Sequence, residues 1–257
     1  GCPAWMHPDA EGLGYYAWRM PEEQLGALRR NGLDELTPGE RLSLVGSLVT
    51  GFRTARLEAA DVLSAVSRLT DDDSRPVAVA PMGMLRFVAE ELVTEDDATL
   101  WRRYARNLYE RAYERLGFEA ASRRESAQTA RFRADVIRFL ADVADQRPVR
   151  NEAVRYARAL TGYRRDSRFD LGAVAPDLYD TVLVLAAEIG NAAYFRHLDD
   201  MFDKADDPVL RRAVLRALGS FRNPSVSADS LQLVFDDRLR KNERFTPLAA
   251  QPADPAT

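Results

Sequence analysis

His7 and His197 are the chain's only histidines, and Cys2 is its only cysteine. A catalytic zinc centre asks for three protein ligands, commonly two histidines on one helical face plus a carboxylate. His7 stands in Trp5-Met6-His7-Pro8-Asp9, a loop-like context with no second ligand nearby. His197 stands in Tyr194-Phe195-Arg196-His197-Leu198-Asp199-Asp200, where the apolar neighbours take the core face and leave the imidazole near the surface. No His-Glu-x-x-His pattern joins two such ligands. Both histidines read as structural, and neither a catalytic nor a metal-binding residue is assigned.

Other chemistries fare no better. The acidic pairs Glu90-Glu91, Asp96-Asp97, Asp199-Asp200 and Asp206-Asp207 are of the type that splits carboxylate pKa values for acid–base work. Their places at helix ends and on polar faces are explained by solvation and by compensation of the helix dipole. Arg102-Arg103, Arg123-Arg124 and Arg211-Arg212 read as solvated faces with nearby carboxylate partners rather than anion sites. Neither Gly-x-x-x-x-Gly-Lys nor a Gly-x-Gly-x-x-Gly after a strand is present, which argues against nucleotide hydrolysis, and no Gly-x-Ser-x-Gly elbow offers a serine nucleophile. The aromatic line Trp101, Tyr104, Tyr109 and Tyr113 is expected to pack in a core rather than meet a ligand.

Composition narrows the class further. Apolar residues make up 46% of the 257 and charged residues 30%, the balance of a folded globular protein. The net charge of −4 does not draw nucleic acid to the molecule as a whole. Lys204 and Lys241 are the only lysines, an arginine bias that fits the codon usage of a GC-rich bacterial genome. The longest apolar run, Thr181 to Ala187, is closed by Glu188 and falls far short of the ~20 residues of a membrane helix. The chain opens Gly1-Cys2, without Met and without a visible signal peptide, so it is expected to be a processed or cut product. Whether it is cytoplasmic or exported is left open.

What would hold such residues in place is helical almost throughout. Thr37-Pro38-Gly39-Glu40 is a capping box with Pro at the first helical position. It opens a helix with a stripe of Leu42, Val45, Leu48 and Val49, closed at Gly51. A second helix uses Leu57, Ala60, Val62, Leu63, Val66 and Leu69, and Asp71 to Ser74 form a loop. Thr94 to Asp97 cap a long helix with Leu100, Tyr104, Leu108 and Leu116, which stops at Gly117. Ala130 to Ala144 places Phe132, Val136, Phe139, Leu140 and Val143 on one face. Further helices are predicted from Pro148 to Thr161, Pro176 to Ile189, Ala192 to Ala205, Pro208 to Phe221 and beyond Pro224. Such successive hairpins predict an all-α, HEAT- or armadillo-like α-solenoid. The exception is Gly12-Leu13-Gly14-Tyr15-Tyr16-Ala17-Trp18-Arg19-Met20, which reads as a short β-strand.

These landmarks, in order, resemble the C-terminal helical domain of aminopeptidase N-type, endoplasmic-reticulum-aminopeptidase-like zinc metallopeptidases. The resemblance rests on Gly14-Tyr15-Tyr16, Leu25 and Leu28, Leu36-Thr37-Pro38-Gly39-Glu40-Arg41-Leu42, Leu100-Trp101, Ala130 to Arg133, Ala175 to Tyr179, and Leu210 to Gly219 followed by Asn223-Pro224. It covers residues 3 to 244. Ala17 and Trp18 depart from it, standing where relatives carry Arg and Val. The family's zinc helix and Gly-x-Met-Glu-Asn motif are absent, and relatives continue through more helices beyond Glu243 and Arg244.

The resemblance implies a part of a hydrolase that caps a peptide cavity and is not catalytic by itself. Substrate-binding residues are not identified by it. Residues 1–20 are expected to be the strand-like remnant of a preceding β-domain, 21–244 the α-solenoid and 245–257 a disordered tail. Trp5, Tyr15, Tyr16 and Trp18 should then pack on the first helices, pair with Pro3 to His7 as a hairpin, or sit exposed. The implied partners are the catalytic and β-sandwich domains of the same polypeptide and, through the parent enzyme, a peptide; neither nucleic acid nor membrane is implied. No cofactor is expected in this chain, zinc belonging to the parent's catalytic domain. The rival reading is a free-standing HEAT-like scaffold that binds a partner protein. Against it stands the aromatic strand where a polar N-terminal cap is expected. A carboxylate-based all-α hydrolase, the third reading, needs a pocket of converging acids.

Overall fold

The computed structural model describes residues 3–14, 16–119 and 125–251. Among them every regular element is helical, as the periodicity predicts, and the chain divides into two compact units, Gly1–Arg115 and Leu116–Thr257.

The first unit carries α1 (Glu22–Asn31), α2 (Pro38–Arg53), α3 (Ala59–Val66), α4 (Arg75–Val79), α5 (Met82–Phe87) and nearly all of α6 (Ala98–Leu116). The capping box forms as read: Thr37 accepts from the Glu40 amide and the Glu40 carboxylate accepts from the Thr37 amide. The buried side chains of α2 are Leu44, Val45, Ser47 and Leu48, whereas Leu42 is exposed, so the stripe is rotated from the one predicted. The helix also runs past Gly51 to Arg53. Gly51 is needed for the turn that follows, because a Cβ there would lie 2.5 Å from the Leu57 side chain. α5 passes directly into a π turn, Val88–Leu92, and α6 ends before Gly117, whose φ of +55° suits glycine.

The predicted N-terminal strand is absent among the described residues, and so is its hairpin with Pro3 to His7; Tyr15 lies outside them. The physical reason is visible in where the polar groups go. The Gly14 amide donates to Asp9 Oδ1 at 2.7 Å, the Trp18 amide to Ser47 Oγ at 3.3 Å and the Trp18 indole to Ser43 Oγ at 3.2 Å. With its donors taken by side chains, two of them on α2, the segment lies as irregular chain along that helix. Trp5 packs against Gly32 at the end of α1, while Tyr16 stays half exposed and donates its hydroxyl to the Pro8 carbonyl.

The second unit holds α7 (Ala127–Asp142), α8 (Arg147–Thr161), α9 (Tyr179–Glu188), α10 (Ala192–Phe202), α11 (Pro208–Gly219), α12 (Pro224–Gln232) and α13 (Phe245–Ala249). Every residue of α9 but Asp180 is buried, and α7, α8 and α11 pack around it. Phe132, Val136, Phe139, Leu140 and Val143 of the α7 segment are buried as predicted. Side-chain caps start four helices: Ser126 for α7, Asn191 for α10, Asp207 for α11 and Asn223 for α12. Part of the predicted tail is ordered into α13. It packs on α11 because Gly219, lacking a Cβ, admits the Pro247 backbone, and Pro247 is buried. Residues 252–257 lie outside the described ones.

Candidate functional site

Each residue singled out from the sequence has a definite place. His7 Nδ1 accepts the Asp9 amide at 3.3 Å, and its ring meets Trp18 edge-on with 4.8 Å between centroids. Asp9 is itself buried and accepts the Ser43 hydroxyl and the Gly14 amide, which hold its carboxyl below the usual range. His197 lies in the second unit with Nε2 at 3.0 Å from the Thr161 carbonyl and its ring against Tyr163. That contact places the proton on Nε2, and burial lowers the imidazole's pKa from its ordinary value. The two histidines belong to different units.

The paired acids do not converge. Glu90 faces Arg86 across an exposed i,i+4 pair, and Asp97 accepts the Thr94 hydroxyl at 3.0 Å. Asp199 meets Arg238 at 2.6 Å, and Asp207 accepts the amides of Val209 and Leu210 as the cap of α11. Arg211 pairs with Glu243 at 2.9 Å and lies 3.9 Å over the Phe202 ring. Arg123-Arg124 fall outside the described residues. The aromatic line of α6 packs inward within the first unit: Tyr104 donates to the Leu63 carbonyl, and fully buried Tyr109 donates to the Ala78 carbonyl. Burial pushes the Tyr104 phenol up to about 12, so it acts as a neutral donor.

One polar assembly escaped the sequence reading. Asp142 of α7 and Glu188 of α9, with side chains only 4% exposed, are clasped by arginines. Arg138 bridges Asp142 Oδ2 at 2.5 Å and Glu188 Oε1 at 2.9 Å. Arg150 bridges Asp142 Oδ1 at 3.0 Å and Glu188 Oε2 at 2.8 Å, and Arg222 approaches Glu188 Oε1 at 3.5 Å. Burial opposes the Arg138 charge, but the two carboxylates outweigh it and raise its pKa. All four carboxylate oxygens face a guanidinium, so neither acid is free to serve as a base. The signal for this cluster was present in Glu188: an acid closing the apolar run Val182 to Ala187 must be paired once that run is buried.

Among the described residues no three His, Cys, Asp or Glu side chains come together in a way that could hold a metal ion. Nor does any helix of the described residues have the length and apolarity to cross a membrane.

The described residues form an all-helical protein in which Asp142, Glu188, Asp199 and Asp207 are engaged in ion pairs and a helix cap. The chain belongs to the ERAP1-like C-terminal domain family, whose model matches residues 5–256, and domains of this family are parts of larger aminopeptidase polypeptides. No curated protein matches the chain.

Proposed function

We propose that this chain is the C-terminal domain of a zinc aminopeptidase, that it is not catalytic by itself, and that its helical hairpins, stacked as a HEAT-like α-solenoid, close over the catalytic half and shape the peptide cavity. The observation that carries this reading is the family match over nearly the whole chain. It is supported by the surface of the N-terminal segment, where Met6, Leu13 and Tyr16 are 62, 80 and 55% exposed beside exposed Leu42 of α2. Apolar residues so placed are suited to meet the β-sandwich domain of the same polypeptide. In this reading zinc and the reacting groups belong to the catalytic domain, and the residues described above supply shape and support.

The test uses the purified chain. It should bind no stoichiometric zinc and release no amino acid from aminoacyl-anilide substrates, and zinc-dependent turnover would overturn the proposal. The parent gene supplies the positive arm: a reading frame continuous with Gly1 should encode His-Glu-x-x-His upstream.

A further inference from the structure

Where α8 ends and α9 turns into α10, the second unit has a cavity of about 90 Å³. Val154 and Ala186 contribute apolar wall, Tyr163 and Tyr194 line it, and Arg158 and Arg164 bring the charge. No acidic side chain lines it. Both arginines are exposed, and among the described residues neither forms an ion pair. Arg164 contacts only the Tyr163 ring, at 5.4 Å, and holds a left-handed backbone with φ of +61°. Arginine adopts that conformation at a cost, here in the turn that carries it beside the cavity.

The second observation is Tyr194, only 5% exposed, whose hydroxyl has no hydrogen-bond partner. The Thr161 hydroxyl, which donates to the Ala157 carbonyl at 2.9 Å, is near it but does not meet hydrogen-bond geometry. Burial pushes the Tyr194 phenol up, against smaller opposing effects of the Thr161 side chain and the Arg158 charge, so the hydroxyl stays a neutral donor with Arg158 nearby. A buried phenol left unsatisfied next to two unpaired guanidiniums is a donor set without its acceptor. The first turn of α10 adds the positive end of a helix dipole, since Asn191, Gly190 and Tyr194 all line the cavity.

We propose that this cavity binds a small oxyanion, held by Arg158, Arg164 and the Tyr194 hydroxyl. A volume of about 90 Å³ is too small for a nucleotide or a peptide side of any length, but accepts a phosphate or the head of a short carboxylate with its alkyl part on Val154 and Ala186. The site stands apart from the aminopeptidase reading, and either can fail without the other.

The test is an amide-resolved NMR titration of the full chain with inorganic phosphate in one arm and propionate in the other, at constant ionic strength. Saturable shifts are expected at Tyr163, Arg164 and Gly190 to Tyr194, with a dissociation constant on the order of millimolar. Saturation by phosphate alone identifies a tetrahedral anion, and saturation by propionate alone a carboxylate. Arg158→Gln and Arg164→Gln, both at exposed positions, should each weaken binding about tenfold. Tyr194→Phe should weaken it about threefold or more while leaving the ligand-free melting midpoint unchanged or raised, because the lost hydroxyl had no partner in the protein. Shifts that follow ionic strength without saturating, or binding that survives both arginine substitutions, would overturn the proposal. So would a Tyr194→Phe chain that binds as before.

Discussion

The two units solve the burial problem in opposite ways. In the second, α9 is buried at every position but Asp180, and the one ionised group it carries inside, Glu188, is met by Arg138, Arg150 and Arg222. In the first, α3, α4 and α5 are short, and order comes from local ties such as the Thr37–Glu40 box and the Asp9–Ser43–Trp18 contacts. Large apolar side chains stay exposed in both units, among them Met6 and Leu13 in the first and Phe235 and Phe245 in the second. A central helix concentrates the consequences of a single substitution, whereas distributed ties dilute them.

The largest contrast is expected at Glu188. Removing it leaves Arg138 and Arg150 on Asp142 alone and takes the carboxylate from Arg222, and breaking a buried pair in this way costs about 3–5 kcal/mol. Urea unfolding of Glu188→Ala should show that loss. A change within the scatter of surface substitutions would mean the cluster is solvated in solution. Next comes apolar packing, compared across the units. Leu183→Ala in α9 should cost about 2–5 kcal/mol, since Leu183 is fully buried. Leu42→Ala in α2, at an exposed position, should stay within about 0.5 kcal/mol. Equal losses at the two sites would erase the distinction.

The same contrast decides what the sequence could reveal. Helices of the second unit carry strong local signals: prolines at first turns, Asn and Asp caps, and the Gly162 stop with its φ of +61°. Periodicity therefore located α7 to α11 closely. The N-terminal segment has the aromatic composition of a strand, but a strand is defined by its neighbour, and the donors at Gly14 and Trp18 are taken by Asp9, Ser43 and Ser47. That competition is long-range and leaves no local pattern. In α2, Leu42 and Leu44 are equally apolar, and only packing chooses between them. The oxyanion cavity was illegible for a related reason. Arg158, Arg164 and Tyr194 come from three elements, and their meaning lies in the partners they lack.

A smaller effect is expected at Thr37. Thr37→Ala removes the cap of α2 and should cost about 1 kcal/mol. Because Glu40 also accepts the Glu11 amide at 3.1 Å, the loss should spread to the turn at Ala10–Gly12. Hydrogen exchange checks this. Faster exchange at Glu40 together with Glu11 supports a shared tie, and faster exchange at Glu40 alone separates the turn from the helix.

The smallest effect is a pH dependence carried by His197 of the second unit. Burial depresses the His197 pKa below its ordinary value of 6.5, against the pull of the Thr161 carbonyl and Asp200. The unfolded chain then binds a proton at this position more readily than the folded one. Its contribution to stability is fully present above about pH 6.5 and is lost as pH falls through the lower folded value. With the ring partly exposed, the loss should stay under about 1 kcal/mol. Unfolding measured from pH 8 to 5 on wild type and His197→Gln isolates it, because other titrating groups are common to both. Wild type should lose stability relative to the variant on the acid side. A relative gain there would mean that the charged imidazole is welcomed by Asp200, and that the second unit's interior is less dry around His197 than its neighbours Tyr163 and Tyr194 make it.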